Sequence, residues 1–192
     1  MYDPELMYDP SVNPLIRFTN KYEVLGNFSR FAVVMGGDSY NTVEHAFQAA
    51  KTMDPKERAE IRAITGPHEA KRRGQEVTLR EDWEQVKDGV MLQLLRQKFD
   101  PGSRKTAPWK LVDTWPRGLF EGNKYRDNYW GCDVDTLRGR NQLGKTLMRV
   151  RLEIIDTIMG VDWREAGLPL GLPLQTNSKS RRGTRVRGDV KT

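Results

Sequence analysis

A chain of 192 residues, 37% hydrophobic and 30% charged, can bury the core of one domain, and its periodic apolar segments exclude wholesale disorder. A single cysteine, Cys132, excludes an internal disulfide, and there is no Cys-x-x-Cys or His/Cys cluster for zinc. The net charge of +6 is concentrated late: from Gly171 onward six basic residues stand against Asp189 alone, which leaves only +1 for residues 1–170.

Residues 1–14 hold three prolines and two copies of Met-Tyr-Asp-Pro, which predicts an extended leader. This acidic start has no apolar core of the signal-peptide kind, and no stretch approaches the length of a membrane span. A cytoplasmic protein with no membrane partner is expected, the nucleus being the alternative. Ile16–Thr19 and Phe31–Met35 read as short strands, with a loop over 22–31 between them. Gly36-Gly37-Asp38-Ser39 is a turn signal.

Tyr40 to Lys51 reads as the opening of a helix. Asn41 or Thr42 can cap it, and Glu44 stands three residues after Asn41, the spacing of a capping box. Val43, Phe47 and Ala50 share one face, while Glu44, Gln48 and Lys51 run down a neighbouring one. A capped surface helix meets that pattern; so does one wall of a site.

Asp54-Pro55-Lys56-Glu57 starts a second helix, with Asp54 as cap and Glu57 three residues on, and it ends near Gly66-Pro67. A short basic helix follows over 68–75. Residues 81–99 form the strongest helical pattern, with Trp83, Val86, Val90, Leu94 and Phe99 in a stripe beside Met91 and Leu95. Residues 109–114 predict a shorter helix. Leu119 to Trp130 has neither helical nor strand periodicity and is polar and aromatic at once, a loop of the kind that carries function. Residues 143–158 form the last long helix, with Leu143, Leu147, Val150, Ile154 and Ile158 on one side. The expected class is mainly α, an α+β fold with a minor short-stranded sheet. Its domain spans 15–160, with a basic Pro/Gly-containing tail over 161–192.

The chain lacks a Gly-x-Ser-x-Gly elbow, a phosphate-binding Gly-x-x-x-x-Gly-Lys loop and a dinucleotide fingerprint. His45 reads as a structural hydrogen-bonder, and Cys132 has no residue to activate it. What remains is carboxylate chemistry beside aromatics: Glu44, Glu121 and Asp127 with Phe28, Tyr129 and Trp130. Glycosidic hydrolysis uses such parts, because a carboxylate stabilises an oxocarbenium-like transition state and an aromatic face holds a heterocycle.

Asn27-Phe28-Ser29 and Thr42-Val-Glu44-His45-Ala-Phe47-Gln48-Ala-Ala-Lys51 resemble two opening motifs of the NADAR family of YbiA-like N-glycosidases. Ala70-Lys71-Arg-Arg-Gly74, Asp82-Trp83-Glu-Gln-Val-Lys87, Met91-Leu-Gln-Leu-Leu95 and Lys98-Phe99 resemble its middle. Leu119-Phe-Glu121-Gly-Asn123, Asp127-Asn-Tyr-Trp130-Gly131 and Gly139-Arg-Asn141-Gln-Leu143-Gly144 resemble its closing motifs. The resemblance covers about residues 17–151 and implies a compact, mainly helical N-glycosidase acting on a bond to ribose. It implies Glu44 as the catalytic carboxylate with Asp127 and Trp130 completing the site, and Asn27, Phe28, Lys51, Lys71, Glu121, Asn123 and Gly131 as substrate-binding residues. No cofactor and no metal are expected.

Two substrate classes follow from the resemblance: ADP-ribosylated guanine in nucleic acid, and phosphoribosylated pyrimidine intermediates of riboflavin synthesis. The basic tail favours the first, as does Gln75, which stands where the family usually has arginine after Gly74. Trp115 after Thr114, where glycine is usual, reshapes a turn at most. A non-catalytic ADP-ribose-binding module is the rival reading from another class.

Overall fold

The computed structural model describes residues 16–103, 107–124 and 126–160. The expected leader and tail lie outside them. Strand β1 (Ile16–Arg17) pairs in parallel with β4 (Leu119–Phe120), which ties the start of the fold to the aperiodic segment. A 3-10 helix over Asn20–Leu25 occupies part of the expected loop. Strands β2 (Val33–Met35) and β3 (Asp38–Tyr40) form a hairpin. Gly36 and Gly37 turn it with φ of +61° and +87°, a left-handed conformation that glycine adopts without a Cβ penalty. Asp38 and Ser39 are therefore strand residues rather than part of the turn.

Six α-helices are present among the described residues: α1 (Val43–Ala49), α2 (Pro55–Ala63), α3 (Pro67–Arg73), α4 (Trp83–Lys98), α5 (Ala107–Val112) and α6 (Gln142–Met159). Asp54 caps α2 as its sequence predicts, accepting the Lys56 N–H at 2.8 Å with Pro55 at the first helical position. The expected return contact of Glu57 is replaced, because its carboxylate takes Thr52 and Thr78 instead. Strands β5 (Gly122–Asn123) and β6 (Cys132–Asp133) pair in parallel. The fold is mainly α with a minor β component, in three two-stranded pairs where a single small sheet was expected.

Helix α1 packs against α2, α3 and α4, and α4 also meets α6 and β2. All seven residues of α1 are buried, so the surface-helix reading of this segment is corrected. The cause is its neighbours: Val43, Ala46, Phe47 and Ala49 are apolar on more than one side, and the helix is enclosed by others rather than laid on them. Buried polar side chains then need internal partners. His45 has them, with Nδ1 2.8 Å from Thr42 Oγ1 and Nε2 3.1 Å from the Ile64 carbonyl. On α4, Trp83, Met91, Leu94 and Leu95 are buried as the stripe predicts, whereas Val86 and Val90 pack at the edge of the core.

Lys98, at the end of α4, is 0% exposed. Its ammonium donates to the Gly26 carbonyl and to Ser29 Oγ, each at 2.7 Å, and so pins the 26–29 loop to α4. It has no carboxylate partner among the described residues. The two hydrogen bonds favour the charged form, but burial opposes it more strongly and holds the amine down at about 7. Between about 7 and the ordinary lysine value of 10.5 the unfolded chain binds more proton than the folded one. Stability must therefore rise with pH across that interval. Urea titrations from pH 6.5 to 10 are expected to show this rise, and Lys98→Met, which has no titratable group there, is expected to flatten it.

Candidate active site

Glu44 is the organising residue. Thr42 caps α1 by accepting the His45 N–H at 3.2 Å, so the capping box from Asn41 to Glu44 does not form. With Thr42 as cap, Glu44 falls at the second helical position, and its side chain turns into the fold rather than back to the cap. Its backbone N–H donates to the Asn27 carbonyl at 3.1 Å, which fixes the Asn27–Phe28 loop against the helix start. Its carboxylate, 5% exposed, accepts Gln48 Nε2 at 2.8 Å from one turn on. Burial drives the Glu44 pKa up, and the Asp127 carboxylate adds to this. The Gln48 hydrogen bond and the Lys71 and Lys51 charges pull the other way.

Gln48 reaches Glu44 because Gly74 lies against it. A Cβ at position 74 would sit 2.6 Å from the Gln48 Cβ and collide with the rest of that side chain. Gln48 Oε1 is buried with no partner among the described residues, so the amide has one strong bond, the one to Glu44. Lys51, one turn further along, donates to the Gly74 carbonyl at 3.3 Å. Its burial lowers its pKa, which Glu44 partly restores.

The aperiodic segment forms the facing side. Asn123 and Asp127 close a tight turn: Asn123 Nδ2 donates to the Asp127 carbonyl at 3.0 Å and the Asp127 N–H to Asn123 Oδ1 at 3.1 Å. Asp127 Oδ1 accepts the Trp130 N–H at 3.0 Å, an Asx-type bond that shapes residues 127–130. The Trp130 ring stands edge to face with Phe47, 5.1 Å between centroids, and with Tyr129 at 5.2 Å. Gly131 is buried, and a Cβ there would lie 2.6 Å from Asn123 Nδ2. Its lack of a side chain lets the 121–123 and 127–131 strands of chain approach each other.

Asn141 holds the same segment from behind. Its amide accepts the Glu121 N–H at 3.0 Å and donates to the Leu119 carbonyl at 2.9 Å. Burial pushes Glu121 up to about 7, with Asp127 and Glu44 adding to the rise and Lys71 and Arg17 opposing it. Phe28 meets His68 of α3 edge to face at 4.6 Å. Among the described residues, no group of three or more His, Cys, Asp or Glu side chains is arranged to hold a metal ion.

Glu44 thus lies within electrostatic reach of Asp127, Glu121, Lys51 and Lys71, with Asn27 and Trp130 bordering them. Four elements far apart in sequence contribute. Among the described residues, Asn27 Oδ1 is buried without a partner, and Nδ2 makes only a long 3.6 Å contact to Met91 Sδ. Three participants escaped sequence reasoning as site residues: Gly74, Asn141 and Arg17. Gln48 was signalled by its i,i+4 spacing from Glu44. The other three depend on contacts between distant segments and leave no local pattern.

The NADAR domain profile matches residues 14–155. The chain belongs to the NADAR family. The N-glycosidase YbiA of Escherichia coli is 38% identical over 145 residues, which span 73% of this chain and 88% of that protein. The N-glycosidase Npun_R5314 of Nostoc punctiforme is 36% identical over 69% of this chain and 86% of that one. The chloroplastic riboflavin biosynthesis protein PYRR of Zea mays is 32% identical over 78% of this chain but only 27% of its own length. The NMR structure of Escherichia coli YbiA superposes on this NADAR domain with a TM-score of 0.65 at 34% identity, covering 77% of this chain and 88% of that one.

The dependence of Glu44 on Gln48 within this NADAR domain is directly testable. Gln48→Ala removes the only hydrogen bond the Glu44 carboxylate receives from a described residue and is expected to raise its pKa further. Carbon-13 NMR of labelled glutamate would follow that titration. Gly74→Ala is expected to shift Glu44 in the same direction by displacing Gln48. Wild-type Glu44 titration in both variants would show that the amide is incidental.

Proposed function

We propose that this NADAR domain hydrolyses the N-glycosidic bond between a base and a phosphorylated ribose, with Glu44 as the essential carboxylate. The observation that carries the reading is the Glu44 carboxylate itself: buried, held by one amide and flanked by the Lys51 and Lys71 ammonium groups. Breaking the bond leaves positive charge on the ribose ring. A fixed carboxylate in a low-dielectric site stabilises that charge and can accept a proton from the incoming water. Asp127 assists by orienting Trp130, whose ring is offered to the sugar or base. Lys51 and Lys71 supply positive charge for a phosphate. Asn27, with both ends of its amide weakly engaged, is suited to ribose hydroxyls, and Phe28 and Asn123 border the same space. Gly131 contributes closeness of approach rather than a contact of its own.

The names of the relatives support an N-glycosidase, and one of them, like a Vibrio vulnificus protein 28% identical to this chain, is named for riboflavin biosynthesis. That favours a phosphoribosylaminopyrimidine as substrate. The basic run from Lys179 to Lys191 favours the second reading, release of ADP-ribose from ADP-ribosylated guanine in nucleic acid. A guanine in a duplex would have to be flipped out or presented single-stranded. Tight binding of ADP-ribose without turnover would instead identify a binding module.

A product assay separates these outcomes. The protein is offered a phosphoribosylaminopyrimidine and, separately, an oligonucleotide carrying ADP-ribosylated guanine, and released base and sugar are followed by mass. Cleavage of the first is expected. Glu44→Gln is expected to keep the fold and lower the rate by about 100-fold or more. An undiminished rate in that variant overturns the assignment of Glu44.

A further inference from the structure

Three carboxyl groups share the site, and they are engaged differently. Glu44 receives the Gln48 amide. Asp127 receives the Trp130 N–H and builds the turn with Asn123. The Glu121 carboxyl receives no hydrogen bond from any described residue. Its backbone, by contrast, is held on both sides: the N–H by Asn141 Oδ1 at 3.0 Å and the carbonyl by the Cys132 N–H at 2.9 Å. Gly131 makes room for the side chain itself, since a Cβ there would come within 3.2 Å of Glu121 Cγ. Glu121 is therefore a half-buried carboxyl on a fixed backbone, with no donor among the described residues and within electrostatic reach of Glu44, Asp127 and Lys71.

From this geometry we infer that Glu121 is the general acid that protonates the leaving base. The inference rests on the N-ribosyl hydrolase reading above and adds a second catalytic residue to it. Chemistry requires such a donor. When the bond from ribose C1 to nitrogen breaks, its electron pair goes to the nitrogen, and an amine departing as an anion is a very poor leaving group. The Glu121 proton goes to that nitrogen, and the base leaves neutral. Water adds to C1 of the ribosyl cation and gives its proton to Glu44. The products are free base and the ribose hemiacetal, and solvent returns Glu121 and Glu44 to their starting states.

The surroundings raise the protonated share of Glu121 near neutral pH. Burial, Asp127 and Glu44 act in that direction, Lys71 of α3 and Arg17 of β1 oppose them, and the balance lies at about 7. A group matched to neutral pH in this way suits proton donation. Burial raises the Glu44 pKa as well, but the Gln48 amide and the Lys71 and Lys51 charges oppose that rise, which suits Glu44 to take the proton of the water. The two carboxyl groups differ in the hydrogen bond that Glu44 receives from Gln48 and in their cations, Lys71 and Lys51 for Glu44 but Lys71 and Arg17 for Glu121.

The test compares leaving groups. p-Nitrophenolate departs without a proton, so the 5-phosphoriboside of p-nitrophenol needs no general acid, whereas a phosphoribosylaminopyrimidine does. Glu121→Gln is expected to lower kcat on the aminopyrimidine by about 100-fold or more and to change the p-nitrophenyl substrate by only a few fold. Glu44→Gln is expected to lose both. In the wild type, kcat on the aminopyrimidine falls as pH rises through about 7, where Glu121 loses its proton, and this limb is absent with p-nitrophenolate as leaving group. Equal losses on both substrates in Glu121→Gln, with Glu44→Gln also inactive, overturn the role of Glu121 alone. A wild-type protein silent on both substrates overturns the hydrolase reading and this inference together.

Discussion

The desolvated carboxylate of Glu44 is the constraint around which the rest is arranged. A carboxylate taken out of water costs several kcal/mol unless hydrogen bonds and opposite charges offset it. Here the offset comes from Gln48 on the same helix, Lys51 one turn further and Lys71 on α3. None of these groups can be moved without changing the protonation of Glu44. Gly74 belongs to the same arrangement, because its missing side chain is the space in which Gln48 lies. α1 is buried on all sides, which deprives Glu44 of water and lets so few groups decide its state.

α4 is the strut for both halves of the site. Near its end Lys98 pins the 26–29 loop, at its middle Met91 touches Asn27, and near its start Asp88 accepts the Tyr129 hydroxyl at 2.8 Å. Lys87 lies 3.8 Å from the centre of the Tyr129 ring and adds to that second attachment. The two loops that border Glu44 are thereby referred to one rigid element, although about a hundred residues separate them in the chain. Precision of this kind is what acid–base chemistry needs, because misplacing a reacting group by an ångström costs orders of magnitude in rate. The buried Lys98 amine, without a carboxylate partner among the described residues, is the cost of that placement, met by packing elsewhere in the core.

Much of the architecture was legible in the chain. The caps at Thr42 and Asp54, the glycine turn at 36–37 and the apolar stripes of α4 and α6 are local patterns, and local patterns survive folding when tertiary contacts agree with them. α6 is buried at Leu143, Leu147, Val150 and Ile154 as its spacing predicts, and only Ile158, near its end, is left exposed. Misreadings fell where a side chain had two local options and the tertiary structure chose. Glu44 could have completed a cap or entered the core, and enclosure of α1 by three helices turned it inward. Glu57 could have capped α2, and Thr78 from a distant turn took it instead.

The sequence by itself determined which segments become helices, the family motifs and the list of carboxylates and aromatics available for chemistry. Those follow from residue type and spacing within one segment. Only the tertiary structure decided that Glu44, Glu121 and Asp127 come within electrostatic reach, that Gln48 and Gly74 support the first of them, and that Glu121 has no donor among the described residues. These are relations between α1, α3 and the 119–131 segment. Desolvation and Coulombic coupling act through space, so which carboxyl keeps its proton is settled by what surrounds it after folding.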